Sequence, residues 1–180
     1  GLWACSKACS RSPVVSERIV LSFPEGGTRF NYRVAGLAIR DGHVLVCRED
    51  GDDYCMLPGG RVEMGEGSDV ALAREMAEEL ATTVHVGALR FTSESFYGRE
   101  GERFHELGFM YSIELPEHVR PGGAQPFLVR EDEGHLLQFS WLPIDETALE
   151  DARLLPPWLP ERLRSPSLGA EHVIFHDGDM

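Results

Sequence analysis

Positive charge is scarce in this chain. Its 180 residues carry 17 Lys and Arg against 30 Asp and Glu, a formal net charge of −13. A surface so acidic repels a phosphate backbone, so nonspecific binding to nucleic acid is not expected. A small anionic substrate stays open, because a metal ion and a few local arginines invert the field inside a pocket. Long apolar runs are also missing. None approaches the roughly 20 residues that a membrane-spanning helix needs, and no membrane partner is expected. Cysteines number four: Cys5, Cys9, Cys47 and Cys55. Cys5 and Cys9 look like half of a zinc site, but no second ligand pair follows at suitable spacing. Cys47 and Cys55 fall in or beside apolar strand-like runs and read as buried free thiols of a reduced compartment, with a cross-strand disulfide as the alternative. The expected location is therefore cytoplasmic. With no internal repeat and no break in composition, residues 17–180 read as one domain of ordinary size. Residues 1–16 read as a flexible arm or an appended remnant.

The order of elements follows from local patterns. Glu17–Phe23 has the composition of a short leading strand, and Pro24–Gly27 that of a turn. Phe30–Arg40 and His43–Arg48 are rich in strand formers and are joined by Asp41–Gly42, a strong hairpin signal. Tyr54–Leu57 is a further short strand. Two longer strand-like runs, Val84–Tyr97 and His105–Leu115, flank a Gly-rich charged tip at Gly98–Arg103. Pro116–Gln125 reads as loop, as does the acidic cluster Glu131–Glu133, ahead of a core strand at Phe139–Pro143. Helical composition returns near Ala148–Leu155 and over Pro157–Arg164, and His172–His176 suits an edge strand. Strands and helices in this order predict an α/β fold with a central mixed sheet packed between helices.

One stretch carries more information than the rest. After the turn Leu57-Pro58-Gly59-Gly60, a helical pattern begins in which Val70, Ala73, Met76, Ala77 and Leu80 recur on an apolar period. Glu75, Glu78 and Glu79 stand at i, i+3 and i+4, so their Cβ atoms lie about 5–6 Å apart on one face. Like charges so close repel, and a hard divalent cation bound by carboxylate oxygen resolves the conflict. Arg74 and Glu66 are placed to pair and steady the neighbouring carboxylates.

Gly60, Glu66, Arg74, Glu75, Met76, Glu78 and Glu79 together resemble the Nudix box: Gly, five residues, Glu, seven residues, then Arg-Glu-apolar-x-Glu-Glu-x-Gly-apolar. Ala81 and Thr82 depart from it, standing where the family has Gly and an apolar residue. The Gly ends the helix in the left-handed region, so Ala81 costs stability but removes no ligand. The resemblance covers roughly residues 31–163. It implies an α/β/α sandwich and a Mg²⁺- or Mn²⁺-dependent pyrophosphohydrolase that cleaves a nucleoside diphosphate derivative by attack of water at phosphorus.

Carried over by position, the resemblance implies Glu78 and Glu79 as main metal ligands, Glu75 as a further ligand or the base, and the Gly59 carbonyl as an extra ligand. Glu66 and Arg74 become orienting partners or, on the plainer reading, an ordinary salt bridge. A late-loop carboxylate, Glu131 or Glu133, is expected as a ligand or base; otherwise that cluster is a solvated loop. For substrate phosphates the first choice is Arg33, then Arg61, with Arg103 at the hairpin tip and Tyr97 as a stacking partner. Tyr97 stands where ADP-ribose members tend to have Pro, which weighs against that substrate and hints at diadenosine polyphosphates. The signature of coenzyme A hydrolases is absent, and nucleoside di- and triphosphates stay open. The main rival is a non-catalytic Nudix-fold sensor that binds a nucleotide or a partner. A second is an isoprenoid diphosphate isomerase, for which no matching Cys context is present. A homodimer is compatible with the resemblance.

Overall fold

The computed structural model describes residues 18–122, 125–132 and 134–178. The arm over residues 1–16 lies outside them, with Cys5 and Cys9, and so does Glu133. The elements are β1 (Ser22–Glu25), β2 (Thr28–Leu37), β3 (Ile39–Arg40), β4 (His43–Glu49), β5 (Cys55–Met56), α1 (Ser68–Leu80), β6 (His85–Arg99), β7 (Glu102–Glu114), β8 (Leu128–Asp132), β9 (His135–Pro143), α2 (Glu146–Asp151), β10 (Leu154–Leu155), α3 (Leu159–Arg164) and β11 (Glu171–His176).

The α/β expectation holds, with one correction: the strands form two mixed sheets rather than one. The first has the order β1-β2-β7-β6-β11, and the second β10-β5-β4-β9-β8 with β3 beside β4. The long run Phe30–Arg40 makes the crossing. It leaves the first sheet after Leu37, Ala38 O accepts from Leu45 N at 3.0 Å, and β3 joins the second sheet through the Asp41–Gly42 hairpin. One apolar core joins Val34 and Ile113 of the first sheet, Leu45, Phe139 and Trp141 of the second, and Leu72 and Met76 of α1. The other joins Leu37, Phe91 and Met110 to Val44 and Val46, and both to Leu149, Leu159 and Leu163 of the short helices. Helices thus flank a layer of strands on both sides.

Two further expectations change. Glu131 and Asp132 lie in β8 and not in a loop, because Gly134 at φ 87° turns the chain and pairs Glu131 with Leu136 and Asp132 with His135. The helical run near Ala148–Leu155 stops at Asp151. Asp145 caps its start by accepting from Ala148 N at 2.9 Å, and Leu154–Leu155 then pairs in parallel with β5. The tail does form an edge strand, β11 running parallel to β6.

The buried stripe of α1 also differs from the apolar period read in the sequence. Ala71, Leu72, Met76, Glu79 and Leu80 are buried, while Val70 is 57% exposed and Ala77 faces solvent. Each fully buried Leu or Met contributes about 1.5–3 kcal/mol, and Leu72 with Met76 sets the rotation of the helix. That rotation draws Glu79 inward and leaves Glu75 half-buried at the edge of the core.

Candidate active site

The turn before α1 is zipped onto β2. Gly36 N donates to Pro58 O at 2.8 Å, Val34 N to Gly60 O at 2.9 Å, and Val62 N to Tyr32 O at 3.0 Å. Its two glycines are required for different reasons. Gly59 sits at φ 149°, and a Cβ there would lie 2.1 Å from Val34 O and 2.7 Å from Ala35 Cα, both backbone atoms. At Gly60 a Cβ would lie 2.2 Å from Glu75 Cδ and 2.3–2.4 Å from its carboxylate oxygens. The Glu75 carboxylate therefore occupies the space that a side chain at position 60 would fill.

Arg74 binds four groups at once. Its Nε and Nη2 donate to Glu66 Oε1 and Oε2 at 2.9 and 3.0 Å, Nη1 donates to Glu75 Oε1 at 2.8 Å and to Glu78 Oε2 at 3.3 Å, and Nη2 reaches Arg61 O at 3.2 Å. Glu66 is bound on both oxygens and also accepts from Glu63 N at 3.2 Å. Its hydrogen bond from Arg74 holds its carboxyl below the ordinary carboxylate range. The same bonds keep Arg74 firmly charged. Glu75 goes the other way. Burial raises its pKa, repulsion from Glu78 adds to the rise, and the bond from Arg74 offsets it only in part. Two carboxylates bound to one arginine, the first lowered by that bond and the second raised by burial in spite of it, suit a fixed anchor (Glu66) and a proton acceptor (Glu75).

These groups line a cavity of about 460 Å³. Glu75, Glu78, Glu79, Arg74, Gly59, Arg33 and Arg61 all contribute to its wall, so most of the residues chosen from the sequence come together. Arg33, on β2, donates through Nη2 to Gly59 O at 3.1 Å. Arg61 makes no side-chain hydrogen bond or ion pair among the described residues. Glu66 lies behind the wall, reached through Arg74. Three further choices do not reach the cavity either. Glu131 is exposed on β8, and Arg103 is exposed at the hairpin tip. The Tyr97 ring stacks on Phe104 at 5.0 Å, and its hydroxyl donates to Glu106 at 3.2 Å. Burial pushes that phenol well above its ordinary range. Tyr97 shares the sheet face of Arg33 but is part of the packing.

The structure adds further residues to the wall. Arg18 and Glu63 join it next to the carboxylates of α1, Glu49 comes from β4, and Cys47 forms an apolar floor with Met56, Leu57 and Leu137. Glu49 Oε1 lies 2.8 Å from His135 Nδ1 across the second sheet. Burial pushes the Cys47 thiol up to about 12, and Cys47 and Cys55 are both free. No cluster of three or more His, Cys, Asp or Glu side chains forms a ready-made metal site among the described residues. Arginines hold Glu75 and Glu78 instead. The donor set is nonetheless all oxygen and anionic, which fits a hard divalent cation and would not fit a soft one.

The model of the NUDIX domain matches residues 30–161. Among solved structures, the fold is similar to the Mutator MutT protein of Bacillus halodurans, with TM-score 0.55 and 19% identity over 81% of this chain and 89% of that one. It is also similar to a Nudix hydrolase of Nitrosomonas europaea, with TM-score 0.51 and 16% identity over 82% and 79% of the two chains. A UDP-X diphosphatase gives TM-score 0.50 and 16% identity over 82% of this chain and 66% of that one. No curated protein matches the sequence. No helix among the described residues is long and apolar enough to cross a membrane. A domain match over most of the chain, on a fold that its solved relatives share, shows that the chain belongs to the Nudix family, hydrolases of the pyrophosphate bond.

Proposed function

We propose that this protein is a divalent-metal-dependent pyrophosphohydrolase acting on a nucleoside diphosphate derivative, in the cytoplasm. The observation that carries the reading is the convergence of Glu75, Glu78 and Glu79 with Arg33 and Arg61 on one cavity. Carboxylate oxygens and guanidinium groups facing each other across an open space are what a charged diphosphate with its cations requires. Glu78 and Glu79 would hold Mg²⁺ or Mn²⁺, with the Gly59 carbonyl as a further ligand once Arg33 turns from it towards phosphate. The cation supplies charge neutralisation at the phosphates, without which an anionic substrate and nucleophile repel each other.

The side chains then divide the work. Arg33 and Arg61 hold the phosphate oxygens, neither being paired with a carboxylate among the described residues. Glu75 takes the proton of the attacking water, and the burial that raises its pKa favours it in that part. The new bond runs from the water oxygen to phosphorus, the bridging P–O bond breaks, and its electron pair leaves with the second phosphate. Arg74, anchored on Glu66, keeps the Glu75 carboxylate in register. The apolar floor around Met56, Leu57 and Leu137 suits a base or sugar rather than another phosphate.

The test is a hydrolysis screen with Mg²⁺ and with Mn²⁺ over nucleoside di- and triphosphates, ADP-ribose, nucleotide sugars and diadenosine polyphosphates, with Glu79→Gln alongside. Turnover of one class, lost by orders of magnitude in the variant, supports the reading and names the substrate. Tight nucleotide binding with no turnover, unchanged by the variant, would replace it with a non-catalytic sensor.

A further inference from the structure

The segment ahead of β1 is strapped along the loop that leads into α1. Met64 N donates to Ile19 O at 2.8 Å, Leu21 N to Val62 O at 2.9 Å, and Tyr32 N to Leu21 O at 2.9 Å, while Val20 bridges Glu63. These bonds place Arg18 at the cavity wall. Its Nη1 donates to Glu78 Oε1 at 3.0 Å, and its Nε lies 3.5 Å from Glu63 Oε1. The other oxygen of Glu78 accepts from Arg74 at 3.3 Å. Both oxygens of one carboxylate are therefore held by arginines, and the two arginines are not equivalent. Arg74 is anchored elsewhere by Glu66 and the Arg61 carbonyl, and its side chain is 18% exposed. Arg18 is 62% exposed and, among the described residues, pairs with Glu63 and Glu78 alone.

We propose that Arg18 is a built-in competitor of the divalent cation for Glu78, so that the N-terminal strap sets the metal affinity of the cavity. This rests on Glu78 being a metal ligand. A cation on a Glu78 oxygen at about 2.1 Å would stand within roughly 5 Å of a guanidinium bonded to the same carboxylate. The two compete for the same lone pairs, and a double and a single positive charge repel at that range. Exposed ion pairs are weak and their side chains swing freely, so Arg18 yields to the cation while lowering its affinity. The backbone bonds of the strap keep the guanidinium nearby to rebind when the cation leaves.

The experiment is titration of the nucleotide-free full chain with Mn²⁺, reading free Mn²⁺ by electron paramagnetic resonance, for wild type, Arg18→Ala, Arg18→Lys and Glu78→Gln with and without Arg18→Ala. Arg18→Ala is expected to bind Mn²⁺ roughly three- to tenfold tighter, in keeping with one weak ion pair plus one removed repulsion. Arg18→Lys should stay near wild type, and the gain should vanish in the Glu78→Gln background. Unchanged or weaker binding by Arg18→Ala overturns the proposal. So does an equal gain without the Glu78 carboxylate, since that would be the long-range field of any lost charge. If wild type itself binds no Mn²⁺, the metal reading of the cavity falls and Arg18 falls with it.

Discussion

Replacing Gly60 and Gly59 separately by Ala tests whether the turn before α1 is built for the fold or for the chemistry. At Gly60 the added Cβ would meet the Glu75 carboxylate at 2.2–2.4 Å. Comfortable contacts begin near about 3.5 Å, so the carboxylate must retreat by more than roughly 1 Å. The retreat breaks its 2.8 Å bond from Arg74. A charge-assisted bond contributes about 1.5–3 kcal/mol, and the stiffer unfolded chain returns about 0.4–1 kcal/mol. The net loss of about 1 kcal/mol lowers Tm by roughly 2–4 °C in a chain of this size. The effect on catalysis is larger, because misplacing the base by about 1 Å costs on the order of 100-fold in kcat.

Gly59→Ala should show the opposite balance. Its Cβ would meet backbone of β2, which is held by hydrogen bonds from Gly36 N and Val34 N to the turn, and the backbone conformation is one L-residues avoid. Overpacking and strain together cost about 3 kcal/mol or more, a Tm loss of roughly 6–12 °C. The assays are scanning fluorimetry and kcat on the substrate that the screen identifies, with Mn²⁺ in excess. A Gly60→Ala enzyme with wild-type kcat would refute the argument, since Glu75 would then tolerate displacement and could not be the base.

Three further outcomes follow from the same geometry. Ala81 ends α1 at φ 50° and ψ 35°, the left-handed conformation that the family's Gly adopts freely; Ala81→Gly should stabilise the protein by about 0.5–1 kcal/mol, seen as a rise in Tm of about 1–4 °C. Glu66 has its pKa depressed in the folded state, so its stabilisation is present above its unfolded pKa and is lost as pH falls through the folded one. Glu75, with its pKa raised, acts in the opposite sense. Glu66→Gln should therefore flatten the fall of Tm on acidification below the ordinary carboxylate range, and a wild-type slope in the variant would show that other groups set it. Burial holds the Cys47 thiol at about 12, so at pH 8 it is protonated and should resist alkylation in the native protein; modification of Cys47 within minutes, located by peptide mass mapping, would contradict the buried placement.

What could be read from the sequence is what depends on near neighbours. The Asp41–Gly42 hairpin and the turn into α1 are local chemistry, and each lies where its residues place it. Spacing on a helix is local too, so Glu75, Glu78 and Glu79 were legible as neighbours before any fold was known. The rotation of that helix was not legible, because Val70 and Leu72 are equally apolar and only contact with both sheets decides between them. The far wall of the cavity depends on pairing at long range. Glu49 arrives because β4 pairs with β9, and Arg33 because β2 carries the turn on its edge. Glu63 escaped notice because it falls in the spacer of the motif, where the pattern prescribes no residue type. Arg18 escaped because a lone arginine at the head of a short strand gives no sign of what it will lie against. Tyr97 and Arg103 were expected at the site because they flank the hairpin tip, yet a hairpin's sequence does not say which way its tip points. Tyr97 turned to Phe104 and Glu106, and Arg103 to solvent. Residues proposed to hold the cation are thus encoded in one contiguous stretch, whereas those that would choose the substrate are scattered over strands that meet only after folding. Reaction class was accordingly readable in this sequence and substrate identity was not.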